Sequence, residues 1–339
     1  MRQAITYDDV LLVPSYNNYE SRKEVDVSMT DKTGRLTVKL PVFTSNMDTI
    51  TDHKMAQFIY AKGGLGALHR FMSIDENVKE YKLSPAETIV SVGCAQEDLD
   101  RTKALFDAGA STFCVDVAHA HAKYVGRTIK NMREILGDNA CIIAGNVATY
   151  AGADYLASCG ADILKVGIGG GSVCSTRIKT GFGIPNLTSI QECARVDRSI
   201  IADGGIRTPG DIVKSLAFGA DFVMVGSMLS GTRPTPGDPY VREVEGKRQL
   251  FKRYRGMASE EVQETYRGQM PTWKTAEGVA TDVPYREDED SIIADIIGGL
   301  RSGLTYGGAR TIRELQRKLD YVTVTQSGRA ESLPHKLSR

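Results

Sequence analysis

Residues 199–227 read Ser-Ile-Ile-Ala-Asp-Gly-Gly-Ile-Arg-Thr-Pro-Gly-Asp-Ile-Val-Lys-Ser-Leu-Ala-Phe-Gly-Ala-Asp-Phe-Val-Met-Val-Gly-Ser. An apolar run, Ser199 to Ala202, stops at Asp203-Gly204-Gly205 and is followed by a segment of helical periodicity. Gly219-Ala220-Asp221 closes that segment and launches a second apolar run, Phe222 to Val225, which stops at Gly226-Ser227. Near-continuous apolar runs of this kind suit strands covered on both faces. The same unit recurs upstream, with runs at Pro41 to Ser45, Gly64 to His69, Thr88 to Val92, Thr112 to Val117, Cys141 to Val147 and Ile163 to Ile168. Ala108-Gly109-Ala110 and Gly160-Ala161-Asp162 repeat the helix-to-strand junction. Eight alternating units predict a closed parallel (β/α)8 barrel, a TIM barrel, rather than an open doubly wound sheet. The junction glycines are read as helix caps, which define the fold and not the chemistry.

The rest of the composition agrees with a single barrel domain spanning residues 1–339. The chain has 339 residues, 41% hydrophobic and 25% charged, enough for one large core and an excursion from it. Lys and Arg total 42 against 42 Asp and Glu, so no surface for a long nucleic acid is expected, while a local site for a small phosphorylated ligand stays open. The N-terminus reaches Asp8 and Asp9 before an apolar signal region develops, and no run approaches the roughly 18 apolar residues of a membrane span. A cytoplasmic protein is expected. After the eighth run the alternation stops: residues 229–289 are rich in Gly, Pro and charge, show no clear strand, and are read as an active-site lid before a helical pattern resumes at Ser291. The tail, residues 325–339, is polar and expected to be weakly ordered.

In such barrels the active face lies at the C-terminal ends of the strands. That rule selects Asn46, Asp48, His69, Asp116, His119, Asn146, the loop Gly169 to Gly183, Asp203 to Gly205, Gly226 and Ser227. The loop after the sixth run, Gly169-Gly170-Gly171-Ser172-Val173-Cys174-Ser175-Thr176-Arg177, can turn backbone amides toward a ligand and hold an anion or a monovalent cation. Five of the six cysteines lie in apolar or helical surroundings, with no metal-ligand spacing among them, but Cys174 sits in an accessible polar loop and is the candidate nucleophile. Asp203-Gly204-Gly205 and Gly226-Ser227 combine phosphate-facing amides with a carboxylate for ribose hydroxyls, as a nucleoside monophosphate requires; flavin or sugar-phosphate barrels use similar glycines. His119 and His121 need not point the same way and receive no catalytic role. Asp116, closing the fourth run, is a candidate for cofactor contact because a carboxylate there is costly without a partner.

With these residues quoted, the chain resembles the IMP dehydrogenase and GMP reductase family over nearly its whole length. The matching stretches are Tyr7 to Leu12, Asn46-Met47-Asp48-Thr49, Ala144-Gly145-Asn146, Lys165 to Arg177, Asp203-Gly204-Gly205, Tyr254-Arg255-Gly256-Met257 and Gly298 to Ser302. The resemblance implies that Cys174 attacks purine C2 and that a hydride passes between C2 and a stacked nicotinamide. By the same implication Ser172, Asp203, Gly205, Gly226, Ser227 and Tyr254 hold the ribose phosphate, Gly256 and Met257 approach the base, and Asp116 and Asn146 lie on the nicotinamide side. Gly169, Gly171 and Cys174 resemble the family's potassium site, and a homotetramer is implied.

Two activities fit that resemblance. Dehydrogenases typically carry a regulatory insert after the second barrel unit, and here only Phe71 to Glu87 separates the second and third runs. They also resemble one another in an Arg-Tyr pair on the flap, whereas this chain reads Gln263-Glu264-Thr265-Tyr266-Arg267-Gly268. Thr176 and Glu277 match the residues that handle the departing amine in the reductases, although dehydrogenases carry the same Thr and Glu-Gly, and Arg177-Ile178-Lys179-Thr180-Gly181 resembles the reductase pattern; Ala202 to Arg207 and Asp116 to His119 look more like dehydrogenases. The expectation is a GMP reductase using NADPH to convert GMP to IMP and ammonia. An IMP dehydrogenase using NAD, or a catalytically silent nucleotide-binding homologue, are the other readings.

Overall fold

The computed structural model of the protein describes residues 3–334; Met1, Arg2 and residues 335–339 lie outside that description. All eight predicted runs form strands. β1 (Val42–Thr44), β2 (Leu65–Leu68), β3 (Ile89–Val92), β4 (Thr112–Asp116), β5 (Cys141–Val147), β6 (Ile163–Val166), β7 (Ser199–Asp203) and β8 (Phe222–Val225) close into one parallel barrel. The ring closes where Val223 to Val225 pair with Val42 to Thr44, and Phe43 stacks on Phe222 at 5.0 Å between centroids. Each strand is buried on both faces, which is why its sequence shows an apolar run and not an alternation.

The crossover helices α1 (His53–Ala61), α2 (Ile74–Leu83), α3 (Gln96–Asp107), α4 (Lys123–Leu136) and α5 (Tyr150–Ser158) follow β1 to β5. A short α6 (Thr176–Thr180) precedes α7 (Asn186–Cys193) after β6, and α8 (Pro209–Ala217) follows β7. Their starts are set locally. The Asp52 carboxylate accepts from the Lys54 and Met55 amides, Ser73 and Glu76 form a capping box, and α8 begins Thr208-Pro209 with Asp211 completing its box. The junction glycines act as helix stops: Gly109, Gly160 and Gly219 have φ of 104°, 107° and 112°, a conformation that favours glycine.

The aspartates of two of these junctions pin the face of the barrel opposite the strand C-termini. The Asp162 carboxylate accepts from the Ile142 amide at 2.8 Å and pairs with Arg35 and Arg133, each at 2.6 Å. The Asp221 carboxylate accepts from the Ile200 amide at 2.8 Å and pairs with Arg313. Asp221→Ala removes a fully buried acceptor and is expected to destabilise the fold by about 3 kcal/mol. The check is the chemical-denaturation midpoint; if it does not move, Asp221 does not pin the barrel.

One expectation is corrected. Residues 229–289 are not strandless: β9 (Tyr240–Val244), β10 (Lys247–Arg255) and β11 (Ala280–Pro284) form an antiparallel sheet, with α9 (Glu260–Arg267) between the last two. Val244 pairs with Lys247 across a two-residue turn in which Glu245 and Gly246 both have positive φ, 51° and 74°. The alternation is hidden because β9 is exposed along its whole length and so carries no apolar face to read. Within the tail, residues 325–334 include a helical turn. The helix Gln326–Glu331 is capped by Thr325 and tied to Asp8 through Arg329 at 2.6 Å, next to Tyr321–Thr323, which pairs antiparallel with Val10–Leu12. The eighth barrel helix, α10 (Glu289–Tyr306), packs on α8.

Candidate active site

β6 and β7 deliver their loops to the same mouth. A Cβ on Gly167, whose φ is 144°, would lie 2.1 Å from the Asp203 carbonyl, so only glycine lets the two loops meet backbone to backbone. The cysteine loop then closes on itself, the Cys174 amide donating to the Gly171 carbonyl at 3.1 Å. The lid runs alongside: the Ser175 amide donates to the Glu277 carbonyl at 2.8 Å, and the Val279 amide to the Val173 carbonyl at 2.9 Å. This pairing carries Glu277 from a distant position in the chain to the edge of the cysteine loop. Cys174 Sγ lies 3.1 Å from Thr176 Oγ1, and Ser172 Oγ lies 2.9 Å from the Tyr254 hydroxyl on β10.

Deeper in the mouth sits an ion cluster built on a buried lysine and two partly buried carboxylates. Lys165 Nζ lies 2.8 Å from Asp116 Oδ1 and 2.9 Å from Asp203 Oδ2, and the Asn146 amide donates to Asp203 Oδ2 at 2.9 Å and to the Gly167 carbonyl at 2.7 Å. Burial works to raise the Asp116 carboxyl, but the Lys165 ammonium prevails and holds it below the usual carboxylate range. Burial likewise opposes the Lys165 charge, and the two carboxylates outweigh it, raising the group above an ordinary lysine.

The lid is latched to the barrel by charge. Arg255 on β10 pairs with Asp48, after β1, and with Glu261 on α9 at 2.8 Å. The Tyr266 hydroxyl donates to Asp48 Oδ2 at 3.1 Å; burial and the Asp48 charge push that phenol up to about 12. Phe71 has the guanidinium of Arg70 at 4.8 Å and that of Arg267 at 5.0 Å from its ring centre. Burial and the neighbouring Arg70 hold Arg267 below the usual arginine range. Arg70 Nε is buried without a hydrogen-bond partner.

One cavity of about 440 Å³ gathers the predicted site: Cys174, Thr176 and Glu277; Ser172, Asp203, Gly205, Gly226, Ser227, Tyr254, Gly256 and Met257; Asp116 and Asn146; Gly169 and Gly171 all line it. A sequence model described as the IMP dehydrogenase / GMP reductase domain matches residues 4–335. The chain belongs to that family. Human GMP reductase 1 is 36% identical over 335 residues, covering 95% of each chain, and the inosine-5'-monophosphate dehydrogenase of Cryptosporidium parvum is 34% identical over 389 residues, covering 98% of this chain and 95% of the other. A crystal structure of inosine 5' monophosphate dehydrogenase from Legionella pneumophila superposes with a TM-score of 0.88 at 67% identity, covering 96% of this chain and all of that one.

Several strand-end residues selected from the sequence lie outside the cavity. His119 and His121 are exposed, with the His121 ring 5.3 Å from Tyr155, and neither lines the site. His69 is buried, accepts from the Phe71 amide through Nδ1 at 3.2 Å, and is held below the usual histidine range by burial. Asn46 lines the cavity and donates to Ser91 Oγ at 2.9 Å. The connection between β2 and β3 holds α2 and no further domain. Arg267, the flap residue a dehydrogenase would need in place of the Arg-Tyr pair, lines the cavity, whereas sequence reasoning missed Lys165, Arg70 and Lys274, which line it too. A lysine inside the apolar run Ile163 to Ile168 was the available signal, since a buried ammonium requires a partner. Among the described residues no helix is long and apolar enough to cross a membrane.

Proposed function

We propose that the chain is a GMP reductase, converting GMP, NADPH and a proton to IMP, ammonia and NADP+ through a covalent bond between Cys174 and purine C2. The covalent step is supported by the cysteine environment, where Thr176 Oγ1 stands 3.1 Å from Cys174 Sγ and Glu277, held to the same loop through Ser175, lines the cavity beside them; these groups suit both activities, and the observation that favours the reductase is the flap, which lacks the Arg-Tyr order and has its Tyr266 hydroxyl bound to Asp48 at 3.1 Å. The Cys174 thiolate adds to C2, and the C2 amino group leaves as ammonia with a proton passed through Glu277 and Thr176. The reduced nicotinamide supplies the hydride that then replaces sulfur at C2. Tyr254 and Ser172, joined at 2.9 Å, close over the phosphate side with Gly205, Gly226 and Ser227, Gly256 and Met257 border the base, and Asp116 and Asn146 face the dinucleotide. The carbonyls of Gly169, Gly171 and Cys174 are hard oxygen donors suited to potassium, and a homotetramer belongs to the same proposal.

A second reading, oxidation of IMP with NAD, draws on Arg267, which lines the cavity with its charge disfavoured by burial and by Arg70, and on the name of the 67% identical crystal structure. Against it stands Tyr266, whose hydroxyl is engaged by Asp48 and so is not free to activate water. The test is the near-ultraviolet absorbance of reduced nicotinamide in potassium buffer. Loss of signal with GMP and NADPH, and none gained with IMP and NAD, is expected; the converse result selects the dehydrogenase.

A further inference from the structure

Asp116 on β4 pairs in register with Gly145 on β5, and Gly145 with Lys165 on β6, so the three residues lie side by side across three strands. A Cβ at Gly145 would stand 2.6 Å from Lys165 Cβ. The missing side chain leaves a lane through which Lys165 reaches over β5 to Asp116 while also touching Asp203 on β7. The other groups facing this cluster include the Asn46 amide, the Arg70 guanidinium and the Cys94 thiol toward Asp116, the Cys114 thiol toward Lys165, and the Asn146 amide with the Tyr7 and Tyr254 phenols toward Asp203. Lys165 is 3% exposed and is the cation in contact with both carboxylates.

We propose that Lys165 is a positioning residue that serves both substrates at once, holding Asp116 on the dinucleotide side and Asp203 on the ribose side aimed into one cavity. The inference rests on the proposed function for which ligand each carboxylate meets. The two carboxylate oxygens that share Nζ are at most about 6 Å apart, a separation at which like charges disfavour each other's ionised form when no cation stands between them. One ammonium therefore sets the readiness of two binding sites, and the sites are coupled through it.

The test is titration calorimetry of GMP and of NADP+, which needs no turnover, on the full chain. Lys165→Met is expected to weaken both ligands by about tenfold or more, because two partly buried carboxylates lose their counter-ion together. Adding Asp116→Asn removes the repulsion, so the double variant recovers GMP affinity to within about threefold of wild type while NADP+ stays weak. Lost packing alone predicts equal GMP affinity in the single and double variants, and that result overturns the inference, as does weakening of only one ligand by Lys165→Met. Asp116→Asn by itself keeps the lysine and guards against a variant that does not fold. Freed from Asp116, Lys165 competes more strongly for Asp203, and GMP binding falls by about threefold; an unchanged GMP affinity overturns the proposal. Wild-type protein that binds neither ligand sinks the functional reading and this inference with it, whereas wild type that binds both, with variants that do not respond, sinks the inference alone.

Discussion

Cys174→Ala is expected to lower turnover on the order of 10⁴-fold or more, because the bond between sulfur and purine C2 is the step that divides a difficult displacement into two easier ones. The substitution takes away only the thiol. The loop keeps its shape through backbone contacts, the Cys174 amide to the Gly171 carbonyl and the Val279 amide to the Val173 carbonyl, neither of which involves sulfur. GMP affinity should therefore stay within a few-fold of wild type while kcat collapses. A purine nucleotide halogenated at C2 should label the wild-type chain once, at Cys174, and leave the alanine variant unlabelled. Turnover retained by the variant removes covalent catalysis from the scheme, and labelling without turnover of either nucleotide pair in wild type points to the silent homologue.

Glu277→Gln tests the reductase assignment more narrowly. Its backbone is fixed at both ends, the Glu277 amide donating to the Ala258 carbonyl at 3.0 Å and its carbonyl accepting from Ser175 at 2.8 Å, so the amide side chain occupies the same edge of the cavity without a proton to pass. Loss of a positioned acid–base group lowers kcat by roughly 10²- to 10⁴-fold. Only the deamination half should suffer. Offered IMP and NADP+, the variant should still form one equivalent of NADPH per site as Cys174 takes up the oxidised purine, because that half-reaction moves no ammonia. Loss of this burst together with turnover assigns Glu277 to the hydride step or to folding and overturns its role with the leaving amine.

The barrel was legible because strand and helix signals are local. Each of the eight runs needed only its own apolar residues and the glycine beside it, and the rule that such barrels work at their strand ends then placed Cys174, Asp203, Gly226 and Asp116 on one face before any contact was known. The lid sheet escaped notice for the opposite reason: the first strand of its hairpin is exposed along its whole length and carries no apolar period, and the turn, Glu245-Gly246, offers one glycine where two positive φ angles are needed. What the chain determined alone was the order of strand and helix units and the core of the active mouth, the cysteine loop with Asp116, Asp203 and Gly226.

The partnerships among those residues were decided only in three dimensions. Asp48 meets Arg255 and Tyr266 from more than 200 positions away, Ser172 meets Tyr254 across 82, and Lys165 reaches Asp203 across 38. No periodicity encodes such choices. Whether Lys165 stands alone, serves one carboxylate or serves two depends on the register of β4 against β5 and β6, and on the empty lane at Gly145 that the register places between them. Ionised groups buried at a shared separation of a few ångströms set one another's charge, so the electrostatics of the site belongs to the closed barrel and not to any segment of the sequence.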